Sequence, residues 1–379
     1  MITVVKNSVA NVLKTCLLIV ISLLFSLLLC EGLLRGVFPQ RLIYKMGHPL
    51  TLSVHIPNFK GVVYNPYEKG LKVKLQFNAQ GFRQRYGEPL KRIPYEKDPS
   101  TYRILCLGDS VVESAQVEWE ESFPVKLQNM FEANPSGKKV EVLSMGVGGW
   151  DQANELVYYK IEGAKFRPDL LVLFIFLHND PGGNLITWKA LKKIYESHES
   201  GYFVKRSPLE EAKIYVGSHS YVYSLLKRAS ELGEPEANAS WIQKPLIALR
   251  ESLRKLQKQM KVVNVPETTA KHGYPKSRQW ELMEELLGEF KGLTSRSKTD
   301  LLLVIVPGKE TGDGNPETMA ILDGARGVAK RLGLSDIDLY SKFREKGPLS
   351  SFYYEKDKHF NVGGHEAVAQ ILYEAFSKR

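Results

Sequence analysis

Four short segments of this chain are apolar almost from end to end: RILCL at 103–107, VEVLS at 140–144, DLLVLFIF at 169–176 and LLLVIV at 301–306. A strand with one wet face alternates apolar and polar residues, whereas a strand covered on both faces has no such need. Runs of this kind therefore point to a parallel sheet with helices packed on each side. Helical stretches separate them. Phe123, Leu127, Met130 and Phe131 share a face of one, and others are expected near 280–293, near 318–332 and after Asn361. The expected fold is α/β, with three α/β/α layers around a parallel sheet.

Two further regions flank or interrupt this core. Leu71, Val73, Leu75 and Phe77 alternate with polar residues and run into Asn78-Ala79-Gln80-Gly81, which reads as a strand ending in a turn. Residues 41–100 are accordingly expected to form a β-rich collar or linker before the main domain at 101–379. From about 181 to 276 the rhythm breaks into a stretch rich in Lys, Glu and Ser, where Leu253, Leu256 and Met260 share a helical face. A helical insertion or lid is expected there.

From Thr15 to Cys30 the chain carries no charge, and flanking Val9, Val12, Leu13, Leu33 and Leu34 lengthen the apolar surface to a membrane span. A cleaved signal peptide needs small residues at its cleavage site, which Leu-Leu-Leu-Cys-Glu lacks, so residues 1–40 read as a retained single-pass anchor. Lysines and arginines are balanced across the span. A short basic start before one early span favours a cytoplasmic N-terminus and an extracytoplasmic main domain.

Composition closes other routes. With 379 residues, 43% hydrophobic and 25% charged, the chain can bury a large core and is not disordered, and three cysteines make no disulfide framework. The net charge of +10 suits anionic surfaces such as phospholipid head groups or acidic polysaccharide. Those charges are interspersed with acidic ones, without helix-turn-helix or zinc-finger spacing, and no nucleic-acid partner is expected. No cluster has metal-ligand spacing, and no phosphate loop or dinucleotide fingerprint is complete, so neither metal nor cofactor is expected.

Ligands of open parallel sheets sit beyond the carboxyl ends of the strands. Gly108-Asp109-Ser110 follows the run at 103–107 and would place a hydroxyl there. Met145-Gly146-Val147-Gly148-Gly149-Trp150 follows the run at 140–144, and its glycines let a backbone N–H approach a developing oxyanion. Leu177-His178-Asn179-Asp180 follows the run at 169–176 and supplies a carboxamide. Late in the chain, Asp357-Lys358-His359-Phe360-Asn361 could supply a base for the hydroxyl proton and a carboxylate to fix its tautomer.

Taken in order, these four blocks resemble the SGNH (GDSL-type) hydrolase family over about 102–378, apart from the insertion. The resemblance implies a flavodoxin-like α/β/α fold and serine-dependent chemistry on ester bonds. By the same resemblance Ser110 is the nucleophile, His359 the general base and Asp357 its orienting acid. The N–H groups of Ser110 and Gly149 and the side chain of Asn179 form the oxyanion hole. This chain has Ser144 where members often have asparagine, and Leu177 where they often have glycine. Its acid stands two residues before the histidine where many members place it three before, at Lys356 here, and Glu355 is the alternative acid. A Glu31-x-x-x-Arg35 step and an Asn78-x-x-Gly-Phe-Arg83 element also resemble membrane-anchored bacterial members.

The sequence is compatible with three functions. An ester hydrolase would act on carbohydrate or lipid O-acyl groups. An O-acyltransferase would use the same acyl-enzyme to modify a cell-surface polysaccharide, and an inactive scaffold would keep only the fold.

Overall fold

The computed structural model describes residues 2–37, 42–65, 67–68, 70–134, 139–197, 201–202, 206–231 and 276–377. The helical face read at 252–260 lies outside them. The chain divides into two compact units.

One unit joins the N-terminal helix Ile2–Val37 to the helices Pro208–His219 and Tyr221–Glu231. Within the first helix, the 25 residues Leu13–Val37 are long and apolar enough to cross a membrane, a test that a signal sequence passes equally. Glu31 has a local task. Its carboxylate accepts from Ser220 Oγ (3.0 Å) and from the N–H groups of Tyr221 (2.9 Å) and Val222 (3.0 Å), capping the helix that starts at Tyr221, and it pairs with Arg35 at 2.8 Å.

The other unit holds two antiparallel hairpins and the main sheet. The hairpins are β1 (Lys45–His48) with β2 (Leu52–His55), and β3 (Lys60–Tyr64) with β4 (Lys72–Gln76). The main sheet contains β5 (Thr101–Gly108), β6 (Lys139–Gly146), β7 (Leu170–Phe176), β8 (Asp300–Val306) and β9 (Ser335–Asp338). All its pairings are parallel, in the order β6-β5-β7-β8-β9.

Alternation along the strands builds the three layers. Leu105, Leu107, Leu171, Leu173, Leu303 and Ile305 face one way and pack with helices Gln152–Ile161, Lys276–Ser297 and Pro316–Leu332. Ile104, Cys106, Val172, Phe174, Val304 and Val306 face the other way, toward helices Phe123–Ala133, Leu339–Lys346 and Val362–Phe376. The fold is thus a flavodoxin-like α/β/α sandwich. Its strand order reverses between β5 and β7, and the crevice at their carboxyl ends is where such a sheet receives ligands.

Candidate active site

Gly108 closes β5. A Cβ there would lie 2.5 Å from Val112 Cγ2, so the turn into the next helix passes too close for any side chain. Asp109 caps that helix, Ser110–Glu113, by accepting the Val111 N–H at 2.9 Å. Ser110 is its first residue, and its N–H is among those a helix leaves unpaired. Arg83, from the Asn78–Arg83 element, bonds the carbonyls of Ser114 and Val117 just beyond the helix and fixes its far end.

The segment before the last helix brings His359 to this serine. Nε2 of His359 lies 2.8 Å from Ser110 Oγ, and Nδ1 bonds Asp357 Oδ1. Asp357 also accepts the His359 backbone N–H at 3.2 Å, a bond that folds the two-residue spacing into a tight turn. Asp357, not Glu355, is therefore the carboxylate on the imidazole. Burial alone would raise its carboxyl, but hydrogen bonds from His359 and Asn65, together with the His359 charge, hold it below the ordinary carboxylate range. It stays a charged acceptor.

Ser110 Oγ has a second neighbour, Asp109 Oδ2 at 3.3 Å, and Asn179 Nδ2 lies 3.2 Å from the same oxygen. Burial raises the Asp109 carboxyl, against the Val111 N–H and the His359 charge. The serine hydroxyl thus sits between an imidazole and a carboxyl, with the nearer contact to the imidazole.

Gly146 to Trp150 form the opposite wall. A Cβ on Gly146 would lie 2.1 Å from Glu113 N, so the loop after β6 lies directly against the serine helix. Gly149 has φ +90, the left-handed region that glycine enters without strain, and its N–H meets no acceptor among the described residues. Gly149 and Asn179 line a cavity of about 480 Å³ together with Trp150, Leu177, His178 and Thr187. Leu177 thus forms part of the cavity wall.

Several contributors carry no local signal in the sequence. Asn65 donates to Asp357 Oδ2 at 2.5 Å, and Glu68 accepts the Asp357 N–H at 3.0 Å. Both belong to the turn between β3 and β4. At the rim, His178 Nδ1 lies 2.7 Å from Glu310 Oε1 and its Nε2 lies 2.9 Å from Lys358 Nζ. The hydrogen bond from His178 lowers the Glu310 carboxyl to about 2, against burial. These contacts span too much sequence for spacing to reveal them. Among the described residues no group of three or more His, Cys, Asp or Glu could hold a metal ion.

No protein-family model matches the chain, and no curated protein does. Solved structures do resemble it. An alpha/beta hydrolase enzyme from the metagenome of Lake Arreo, Spain, is 12% identical over 74% of this chain and 96% of its own, with a TM-score of 0.41. An acetylxylan esterase from Geobacillus stearothermophilus is 12% identical over 72% and 93%, TM-score 0.40. The lipase/acylhydrolase from Enterococcus faecalis is 13% identical over 73% and 96%, TM-score 0.40.

Proposed function

We propose that this protein hydrolyses carbohydrate or lipid O-acyl esters through an acyl-enzyme on Ser110. The observation that carries the reading is the unbroken line Asp357–His359–Ser110, with 2.8 Å between Nε2 and Oγ. A serine hydroxyl is a weak nucleophile unless a base takes its proton as it attacks, and an imidazole held in one tautomer by a carboxylate is suited to that task.

In this mechanism Ser110 Oγ bonds to the ester carbonyl carbon while its proton passes to His359 Nε2, and Asp357 stabilises the imidazolium. The carbonyl oxygen becomes an oxyanion that receives the N–H groups of Ser110 and Gly149 and the carboxamide of Asn179. Collapse of this intermediate breaks the bond to the alcohol oxygen, which leaves with the proton from His359. Water then gives a proton to His359 and attacks the acyl carbon. The acid departs, and Ser110 recovers its proton.

The helix Leu13–Val37 serves in this proposal as a membrane anchor, holding the hydrolase outside the cytoplasm against acylated glycans or lipids. The test uses the full chain in detergent, supplied with p-nitrophenyl acetate and with an O-acetylated oligosaccharide. Free acetate is expected from both, with kcat falling by about 10³-fold or more in Ser110→Ala. Equal release by wild type and Ser110→Ala contradicts the proposal. Acetyl transfer to an added unmodified oligosaccharide, at the expense of free acetate, would identify a sugar hydroxyl as the acceptor in place of water and make the enzyme an acyltransferase.

A further inference from the structure

Val147 to Trp150 form a β-turn closed by the Trp150 N–H on the Val147 carbonyl at 2.9 Å. With φ +90 at Gly149, in the third position, it is a type II turn. Types I and II differ by a flip of the central peptide, here Gly148–Gly149. Glycine at both central positions removes the side chains that would favour one state. That same peptide carries the Gly149 N–H. Since C=O and N–H point oppositely in a planar trans peptide, whatever holds the Gly148 carbonyl also aims the Gly149 N–H.

Lys45 holds it. Nζ, reaching in from β1, donates to Gly148 O at 2.6 Å, a charge-assisted bond. The preceding peptide is fixed as well, because Gly148 N–H donates to Glu113 Oε1 at 3.1 Å. Glu113 is immobilised in turn by Tyr44 OH (3.1 Å) and His55 Nε2 (2.8 Å). A Cβ on Gly148 would lie 2.9 Å from Glu113 Oε2, 3.0 Å from Lys45 Nζ and 3.4 Å from Ser110 Cβ, so both charged groups press on this glycine beside the serine.

We infer that Lys45 is a positioning residue for the oxyanion hole, selecting the type II state of the Gly148–Gly149 peptide and polarising its N–H as a donor. This rests on the ester-hydrolase reading above. A cation on the carbonyl draws electron density from the amide and strengthens the N–H at its other end. Without it the turn can flip and present a carbonyl dipole to the developing negative charge. The hairpin β1–β2 then belongs to the catalytic apparatus as well as to the fold.

The test compares wild type, Lys45→Met and Lys45→Arg in the full chain, using an aryl acetate and its thionoester, in which sulfur replaces the carbonyl oxygen and accepts hydrogen bonds poorly. Lys45→Met keeps the length of the side chain and removes its charge. It is expected to lower kcat by about tenfold to a hundredfold, leave KM within threefold, and shrink the ester-over-thionoester rate ratio. Lys45→Arg is expected to restore most of both. Loss of kcat with an unchanged ratio, or kcat within twofold of wild type, overturns the assignment. A wild type whose turnover does not depend on Ser110 overturns the ester-hydrolase reading itself, a result the Ser110→Ala control separates from either outcome at Lys45.

Discussion

Asn65 donates a carboxamide N–H to Oδ2 of Asp357 at 2.5 Å, joining residues 292 positions apart. The other end of that carboxamide is committed too, because Oδ1 accepts the N–H groups of Tyr67 (2.8 Å) and Glu68 (3.0 Å). The turn after β3 thus folds around its own asparagine and holds one N–H against the carboxylate that faces His359. Asp357 is 3% exposed, so water is a poor substitute for that donor.

Asn65→Ala should therefore leave a buried carboxylate oxygen without its donor, at a cost of about 1–3 kcal/mol. Turnover of an aryl acetate is expected to fall about tenfold as Asp357 loses its fixed orientation. A lowered carboxyl contributes stability that is full above its unfolded value and lost as pH falls through the folded one. Removing Asn65 brings the folded value closer to the unfolded one, so the variant's deficit should be full near pH 7 and narrow as pH falls through the ordinary carboxylate value. Urea unfolding between pH 3 and 7 measures this, and overlapping curves would refute it.

Two glycines of one loop should respond differently to alanine. At Gly149 a Cβ meets nothing within 4 Å, so the penalty is the strain of φ +90, about 1–3 kcal/mol, and the protein should fold with a lower Tm and reduced kcat. At Gly146 the new atom would lie 2.1 Å from Glu113 N and 2.5 Å from Val112 C. Backbone cannot yield there. Gly146→Ala is expected to give no folded protein, as judged by near-UV circular dichroism and thermal melting.

Asn179→Ala removes one proposed oxyanion donor along with the partner of Asp109 Oδ2. A loss of about 10²–10³ in kcat with little change in KM is the expected signature of a group acting mainly in the transition state. A raised KM with unchanged kcat would instead assign Asn179 to ground-state binding. Steady-state kinetics on p-nitrophenyl acetate decide between them.

Burial raises the Asp151 carboxyl to about 6, against hydrogen bonds from Thr187 and the N–H groups of Asn154 and Ala153. A raised carboxyl binds its proton more tightly in the folded state. Its contribution to stability therefore falls as pH rises from the ordinary carboxylate value to about 6. Asparagine can keep the cap and cannot ionise. The urea midpoint of Asp151→Asn should gain on wild type between pH 4 and 6, and a constant difference across that window would contradict the assignment.

The sheet was legible where both faces of a strand are covered. In β7 every residue is buried, so the apolar run in the sequence and the strand in the fold are the same fact. Among the described residues β9, Ser335–Asp338, pairs only with β8, and its residues are exposed or half-buried. It leaves no apolar run to read. The helix Leu339–Lys346, short and charged, was equally silent. At the candidate site, the loops that carry Ser110, Gly149 and Asn179 stood out because polar or flexible residues directly follow apolar strands, and the individual residues were singled out by the resemblance. Asn65, Glu68 and Lys45 act through contacts across 292, 289 and 103 positions. The alternation at 71–77 announced a strand, but neither its partner β3 nor what the hairpins hold is visible before packing.

If His359 activates Ser110, that serine reacts with a fluorophosphonate probe and no other residue does. The full chain in detergent is labelled, digested and mapped by mass spectrometry beside Ser110→Ala and His359→Ala. One modified peptide carrying the probe on Ser110 is predicted, with no labelling in Ser110→Ala and a rate lower by about 10³-fold in His359→Ala. Folded wild type that takes up no probe, or labelling that persists in Ser110→Ala, would contradict it.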